Sequence, residues 1–133
     1  AYGDRIQIVG DDYLVTNAQK ITNSASQGIC NAALIKVNQA GTVSEALNAM
    51  HAAKQAGWGT IISARSGETE DVTLTHLAVG FGAGQLKVGS FSRSERMAKW
   101  NEGLRIGEQM GTAISYVGRK ALYNRKDDDP YPA

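Results

Sequence analysis

The chain has 133 residues, 42% of them apolar and 20% charged, which is the composition of one globular domain with a moderate core. Its 14 basic residues nearly balance 13 acidic ones, so the overall charge gives no reason to expect nucleic acid or a membrane surface as a partner. Cys30 is the single cysteine, which excludes an intrachain disulfide and a paired-cysteine metal site. Because no apolar run reaches about 18 residues and the first residues are not typical of a secretory signal, we expect a cytoplasmic protein.

Strand and helix patterns alternate along the chain. The first predicted strand spans residues 6–9, and a helix is predicted from about Thr16, where the letters T-N-A-Q have the spacing of a capping box. The second strand is predicted at residues 32–35. The helix after it opens with a second capping box, from Thr42 to Glu45.

The second half of the chain repeats this pattern. A third strand is predicted at residues 60–63, a helix over about residues 69–80, and a short fourth strand at residues 85–88. The last helix is predicted to open at Ser92 with another capping box. That helix carries three large apolar residues on one face: Met97, Trp100 and Leu104.

The alternation predicts an α/β domain with parallel strands, because parallel strands need crossover helices between them. We assign residues 1–122 to this domain and the polar residues 123–133 to a solvated tail. Four βα units fit either a small open sheet or one half of an eight-stranded (β/α) barrel, which typically needs ~250 residues. The pattern alone does not choose between these two architectures.

A charged residue ends or follows each predicted strand, namely Asp11, Lys36, Arg65 and Lys87. Ligands of parallel α/β folds lie at the carboxyl ends of the strands, so we expect these four side chains to face one shared site. A single charge in such a place is more often a solvated loop residue. The repetition after four successive strands favours a binding site.

Three cations at one site predict an anionic substrate that carries phosphate and carboxylate groups. Arg65 and Ser66 stand at the predicted start of a helix, where a guanidinium, a hydroxyl and free backbone N–H groups can hold a phosphate. Asp11 offers a hard oxygen ligand for a divalent cation such as Mg²⁺. Lys36 and Lys87 have positive neighbours, which favour the neutral amine and suit one of them to act as a general base.

Five longer segments resemble enolases, which dehydrate 2-phosphoglycerate to phosphoenolpyruvate in glycolysis. The segments are V-G-D-D-Y-L-V-T-N, A-L-I-K-V-N-Q-A-G-T, S-A-R-S-G-E-T-E-D, G-Q-L-K-V-G and R-S-E-R-M-A-K-W-N. The resemblance implies a partial TIM-type (β/α) barrel, made of four consecutive βα units from the C-terminal half of the enolase barrel. It also implies that the complete protein is a homo-oligomer.

The resemblance further implies a role for each strand-end residue. Lys36 would contact the substrate and remove its C2 proton, and Asp11 would be a ligand of Mg²⁺. Arg65 and Ser66 would bind the substrate phosphate, while Lys87 would contact the carboxylate. This division agrees with the chemistry, because a carbon acid ionises only if metal and fixed cations neutralise the developing negative charge.

Two departures limit the resemblance. Enolases usually have His before the Arg-Ser pair, whereas this chain has Ala64, so we expect an altered rate or substrate preference. The general acid and two further metal ligands of enolases come from earlier barrel segments. We therefore expect the chain to be inactive alone and to need the remaining part of the barrel as its partner. Two alternatives stay open: a non-catalytic enolase-like binding protein, and a paralogue that acts on another phosphorylated hydroxy acid.

Overall fold

The computed structural model describes residues 2–122, so the predicted tail lies outside the described part of the chain. Strands and helices alternate as predicted. The strands are β1 (Val9–Gly10), β2 (Ala32–Ile35), β3 (Gly59–Ser63) and β4 (Gly84–Lys87). The helices are α1 (Ala18–Ser26), α2 (Val37–Ala40), α3 (Val43–Gln55), α4 (Thr73–Gly80) and α5 (Ser94–Met110), followed by two 3₁₀ turns at Gly111–Ala113 and Gly118–Ala121. No helix in this part of the chain is long and apolar enough to cross a membrane.

The four strands form one parallel sheet in the order β1-β2-β3-β4. Because side chains alternate along a strand, the sheet has two distinct faces. One face packs against the helices, where Ile35 and Ile62 join the main core with Met50 of α3. The other face carries a separate buried cluster of Ala32, Leu34 and Ile61. The sheet therefore buries apolar residues on both faces, as parallel sheets do.

A contact between the outer strands shows that the sheet is curved. The side-chain amides of Gln7, just before β1, and Gln85, in β4, exchange two hydrogen bonds of 2.9 Å. In a flat four-stranded sheet the outer strands would lie about 14 Å apart, and their side chains would stand roughly perpendicular to the sheet. The two amides could not meet across such a sheet. Gly59 leaves room for the contact, because a Cβ there would lie 2.8 Å from Oε1 of Gln7. This curvature, with the parallel order, confirms a partial barrel and not a flat open sheet.

The first strand begins later than predicted, at Val9 instead of residue 6. The physical reason is the side chain of Asn31, which occupies the backbone groups that a longer strand would use. Its Oδ1 accepts from the Ile8 N–H at 2.6 Å, and its Nδ2 donates to the carbonyls of Ile6 and Gly3. The segment before β1 is thus held by one amide side chain instead of a strand ladder.

Two predicted helix starts were also wrong. The cap of α1 is Asn17, whose side chain accepts from the Lys20 N–H, while the predicted cap Thr16 bonds elsewhere. The last helix starts at Ser94 and not at Ser92, and its cap residue Arg93 makes no side-chain cap hydrogen bond. The second capping box was correct, since Thr42 accepts from the Glu45 N–H and donates to its carboxylate.

The predicted apolar stripe on α5 does not describe its buried face. Leu104 is 69% exposed, and Trp100 is partly exposed and stacks on Phe91 with ring centroids 5.1 Å apart. The residues that α5 buries are instead Arg96, Lys99 and Ile106. Two charged side chains therefore occupy positions that a simple amphipathic pattern assigns to apolar residues.

The packing at Gly10 leads to a prediction about stability. A Cβ at this strand position would lie 2.7 Å from Cγ of buried Leu14 and 3.0 Å from Sγ of Cys30. Gly10→Ala should therefore lower the free energy of unfolding by about 1–3 kcal/mol through overpacking. Gly107→Ala on α5 is the control, because a Cβ there meets nothing within 4 Å and a helical alanine should add about 1 kcal/mol. Urea unfolding of both variants measures the difference, and equal stability would contradict the packing at Gly10.

Candidate functional site

The four strand-end residues line one cavity of about 530 Å³ at the carboxyl ends of the strands. Lys87 ends β4 in register with Ser63 of β3, and Lys36 directly follows β2. Asp11 directly follows β1. The complete lining is Asp11, Lys36, Ala64, Arg65, Ser66, Lys87, Val88, Gly89, Ser90, Arg93 and Arg96. The structure thus brings all five predicted site residues, Ser66 included, to a common cavity.

Lys36 is buried and forms an ion pair with the carboxylate of Asp11. A second carboxylate, that of the exposed Asp12, lies 3.8 Å from the Lys36 ammonium. The backbone N–H of Lys36 donates to Oγ1 of Thr16 at 3.0 Å, and the Thr16 hydroxyl donates to Gln39. These bonds fix the end of β2 to the loop after β1, so the amine of Lys36 and the Asp11 carboxylate are held together at the floor of the cavity.

Arg65 and Ser66 lie on the loop that follows β3. The guanidinium of Arg65 donates to Oδ1 of Asn38 at 2.9 Å, and Ser66 is exposed toward the cavity. The predicted helix start at this place was wrong, because α4 begins only at Thr73. Moreover, the backbone N–H of Arg65 already donates to Oε1 of Glu68. No helix N-terminus therefore lies at Arg65 and Ser66, and an anion bound there would contact their side chains.

The acidic residues after Ser66 stabilise this loop more than they compensate the dipole of α4. Glu68 pairs with the buried ammonium of Lys99 at 3.0 Å, and Glu70 accepts from the hydroxyl of Ser94. Burial alone would raise the pKa of Glu68, but hydrogen bonds from the Arg65 N–H and from Lys99 outweigh it and hold that pKa below its ordinary value. Asp71 contacts the start of α4, where it accepts from the Thr73 N–H.

The charges of the cavity favour an anion. Its lining, among residues 2–122, holds the five cationic side chains of Lys36, Arg65, Lys87, Arg93 and Arg96. Asp11 supplies the one carboxylate in that lining. A concave surface with this excess of positive charge concentrates anions and raises their rate of association. Ala64 lies in the same lining with a buried methyl group where enolases usually carry His, so this part of the wall cannot donate a hydrogen bond from a side chain.

Asp11 fits the role of one oxygen ligand of Mg²⁺. Its Oδ1 is buried and faces the Lys36 ammonium, but it accepts no well-aligned hydrogen bond from residues 2–122. A divalent cation at this carboxylate would therefore compete with the ion pair to Lys36. The same residues contain no group of three or more acidic, His or Cys side chains that could hold a metal ion. A site with three or more such side chains around Asp11 would need some of them from outside the described residues.

Three residues that shape the cavity or its loop were not predicted from the sequence. Asn38 holds the guanidinium of Arg65, while Arg93 and Arg96 add positive charge to the lining. A signal was present in the segment R-S-E-R-M-A-K, whose second Arg and Lys stand three residues apart on one side of a helix. That spacing is also typical of a solvated helix face, so it does not by itself show that the two charges are buried.

The family comparison covers the same elements. The family model described as "Enolase, C-terminal TIM barrel domain" matches residues 1–125. This range includes all four strands, the five helices and every residue that lines the cavity. The resemblance of the five sequence segments and the curved parallel sheet agree with it. The chain therefore belongs to the family of enolase C-terminal TIM barrel domains.

Proposed function

We propose that the chain supplies half of a lyase active site that dehydrates 2-phosphoglycerate to phosphoenolpyruvate with the help of Mg²⁺. The observation that carries this proposal is the cavity at the strand ends, where Lys36, Arg65 and Lys87 converge beside Asp11. A small acid with one phosphate and one carboxylate matches this distribution of charge. Membership of an enolase domain family supports a lyase-type reaction.

Five residues of the cavity would take part in this reaction. Arg65 and Ser66 bind the phosphate, and Lys87 binds the carboxylate. Lys36 accepts the C2 proton as a neutral amine, after its ammonium has released a proton and left the ion pair with Asp11, and Lys87 stabilises the negative charge that develops on the carboxylate. Asp11 would be one ligand of Mg²⁺, which when bound would supply Lewis acidity that stabilises the same charge. The hydroxyl then leaves with a proton from an acid, which gives water and the enol phosphate.

The acid and the other metal ligands are proposed to come from the remaining part of the barrel. Among the described residues, β1 pairs only with β2 and β4 only with β3, so each of these strands has an unpaired edge. Further parallel strands, in the same polypeptide or in a companion chain, would cover both edges. A homo-oligomer of the completed barrel is the expected assembly.

Ala64 is the observation that favours a second candidate. A buried methyl group in the cavity wall removes a polar contact that enolases usually make. A paralogue that acts on another phosphorylated hydroxy acid would tolerate this change. A non-catalytic binding protein would too, but it has no need to keep Lys36 buried in an ion pair with Asp11.

Formation of phosphoenolpyruvate by the completed barrel tests the proposal. Ultraviolet absorbance of the enol phosphate should rise with 2-phosphoglycerate and Mg²⁺, and it should not rise when a chelator removes the metal. Other phosphorylated hydroxy acids, tested in parallel, identify a paralogue if they are turned over and 2-phosphoglycerate is not. If the completed barrel bound one of these acids but turned over none of them, the non-catalytic alternative would be favoured.

A further inference from the structure

Side chains from the first two turns of α5 hold the loop that carries Arg65 and Ser66 in place. Arg96 is 9% exposed, and its guanidinium donates to three backbone carbonyls. Nη1 donates to Arg65 O at 2.8 Å and to Val88 O at 2.9 Å, while Nη2 donates to Ser66 O at 2.9 Å. One side chain therefore joins the end of β3 to the end of β4.

Lys99 holds the next part of the same loop. Its side chain is 1% exposed, and its ammonium donates to Thr69 O at 2.7 Å and to Glu95 O at 3.0 Å. The same ammonium pairs with Glu68, which in turn accepts from the Arg65 N–H at 2.7 Å. The loop is thus fixed on both sides of Ser66 by buried cations, each with hydrogen-bond partners that offset its burial.

The geometry points to Arg96 as a positioning residue for the anion site. It acts through the backbone of Arg65 and Ser66 and sets their place relative to Lys87. Both N–H groups of its Nη1 are engaged by carbonyls. Gly89 lies beside it, where a Cβ would be in ordinary van der Waals contact with Cδ at 3.6 Å and with Nε at 3.7 Å of Arg96. The planar fork of Arg reaches these three carbonyls from two separate nitrogens, whereas Lys would have to reach them from a single nitrogen.

This positioning role rests on the proposed phosphate site and makes a separate prediction. If Arg96 only added positive charge to the cavity, a lysine in its place would preserve most of the affinity for an anion. If Arg96 only stabilised the fold, its loss would lower stability and leave the affinity of the folded protein unchanged. As a positioning residue it should be replaceable by neither Met nor Lys, because a displaced Arg65 or Ser66 loses a charge-assisted hydrogen bond to the anion, which is worth about 10- to 100-fold in affinity.

Inorganic phosphate is the probe, and the completed barrel is titrated by calorimetry as wild type and as Arg65→Met, Arg96→Met, Arg96→Lys and Arg105→Met. Arg105 is the matched control, since it lies on the same helix, is exposed and pairs with Glu102. We expect about 10- to 100-fold weaker phosphate binding for both Arg96 variants and no change for Arg105→Met. The KM for 2-phosphoglycerate should rise by a similar factor.

The outcomes separate the positioning role from the proposed function. The positioning role would be overturned if Arg96→Lys, or folded Arg96→Met, bound phosphate with wild-type affinity and Arg65→Met still lost phosphate binding. Unchanged binding in Arg65→Met would instead contradict the phosphate site itself. Should Arg96→Met fail to fold, Arg96→Lys decides, because it keeps a buried cation and loses only the fork.

Discussion

Replacing Lys36 by Met in the completed barrel should lower the turnover of 2-phosphoglycerate by about 10²- to 10⁴-fold, the usual contribution of a general base. Methionine has nearly the shape of lysine but cannot accept a proton. The second readout is exchange of the C2 hydrogen of the substrate with solvent deuterium, followed by NMR. This exchange should disappear in the variant, because the proposed proton acceptor is gone.

Two controls make this result specific. Lys20→Met changes an exposed lysine on α1 and should leave turnover unchanged. Phosphate binding by Lys36→Met should stay within a few-fold of wild type, since Arg65 and Ser66 are untouched. If C2 exchange continued at the wild-type rate in Lys36→Met, the role of Lys36 as the base would be wrong.

Removing the carboxylate of Glu68 should have the largest effect on stability. Lys99 would then keep a buried ammonium with carbonyl partners but no counter-charge. Breaking such a pair from one side costs about 3 kcal/mol or more, so Glu68→Ala should shift the urea midpoint strongly downward. The double variant Glu68→Ala/Lys99→Met should recover part of this loss, because it removes the unpaired charge as well.

The stabilisation from Glu68 also has a definite pH dependence. Its pKa in the folded protein is lowered, since the hydrogen bonds from the Arg65 N–H and from Lys99 outweigh the effect of burial. A carboxylate with a lowered pKa stabilises the fold fully above its ordinary pKa and loses this contribution as the pH falls through the folded value. The stability gap between wild type and Glu68→Ala should therefore be full at neutral pH and narrow in acid. A gap that widened in acid would contradict the ion pair with Lys99.

The central strands and the site could be predicted because their signals are local. The runs around Ala32–Ile35 and residues 60–63 are apolar, short and buried on both faces, which is typical of parallel strands. The strand after each crossover runs in the same direction, so the charges that follow the strands had to meet at one end. The positions of Lys36 and Lys87 in one cavity follow from these two facts.

The remaining features depend on contacts that are distant in sequence. The late start of β1 comes from the side chain of Asn31, and the late start of α4 follows from a loop that Lys99 holds about 30 residues away. A lysine is rarely buried, so composition and periodicity offered no reason to place Lys99 inside. The contact of Arg65 with Asn38 likewise joins the loop after β3 to α2, which only the folded sheet brings together.

The decisive measurement is turnover of 2-phosphoglycerate with Mg²⁺, for the chain alone and after the other half of the barrel is added. We predict no phosphoenolpyruvate from the chain alone, because the one carboxylate that residues 2–122 place in the cavity lining cannot provide the acid and all metal ligands. Addition of the complementary half should restore turnover, and Lys36→Met should abolish it again. Turnover by the chain alone, or none by the completed barrel, would contradict the proposal that this cavity is half of a lyase site.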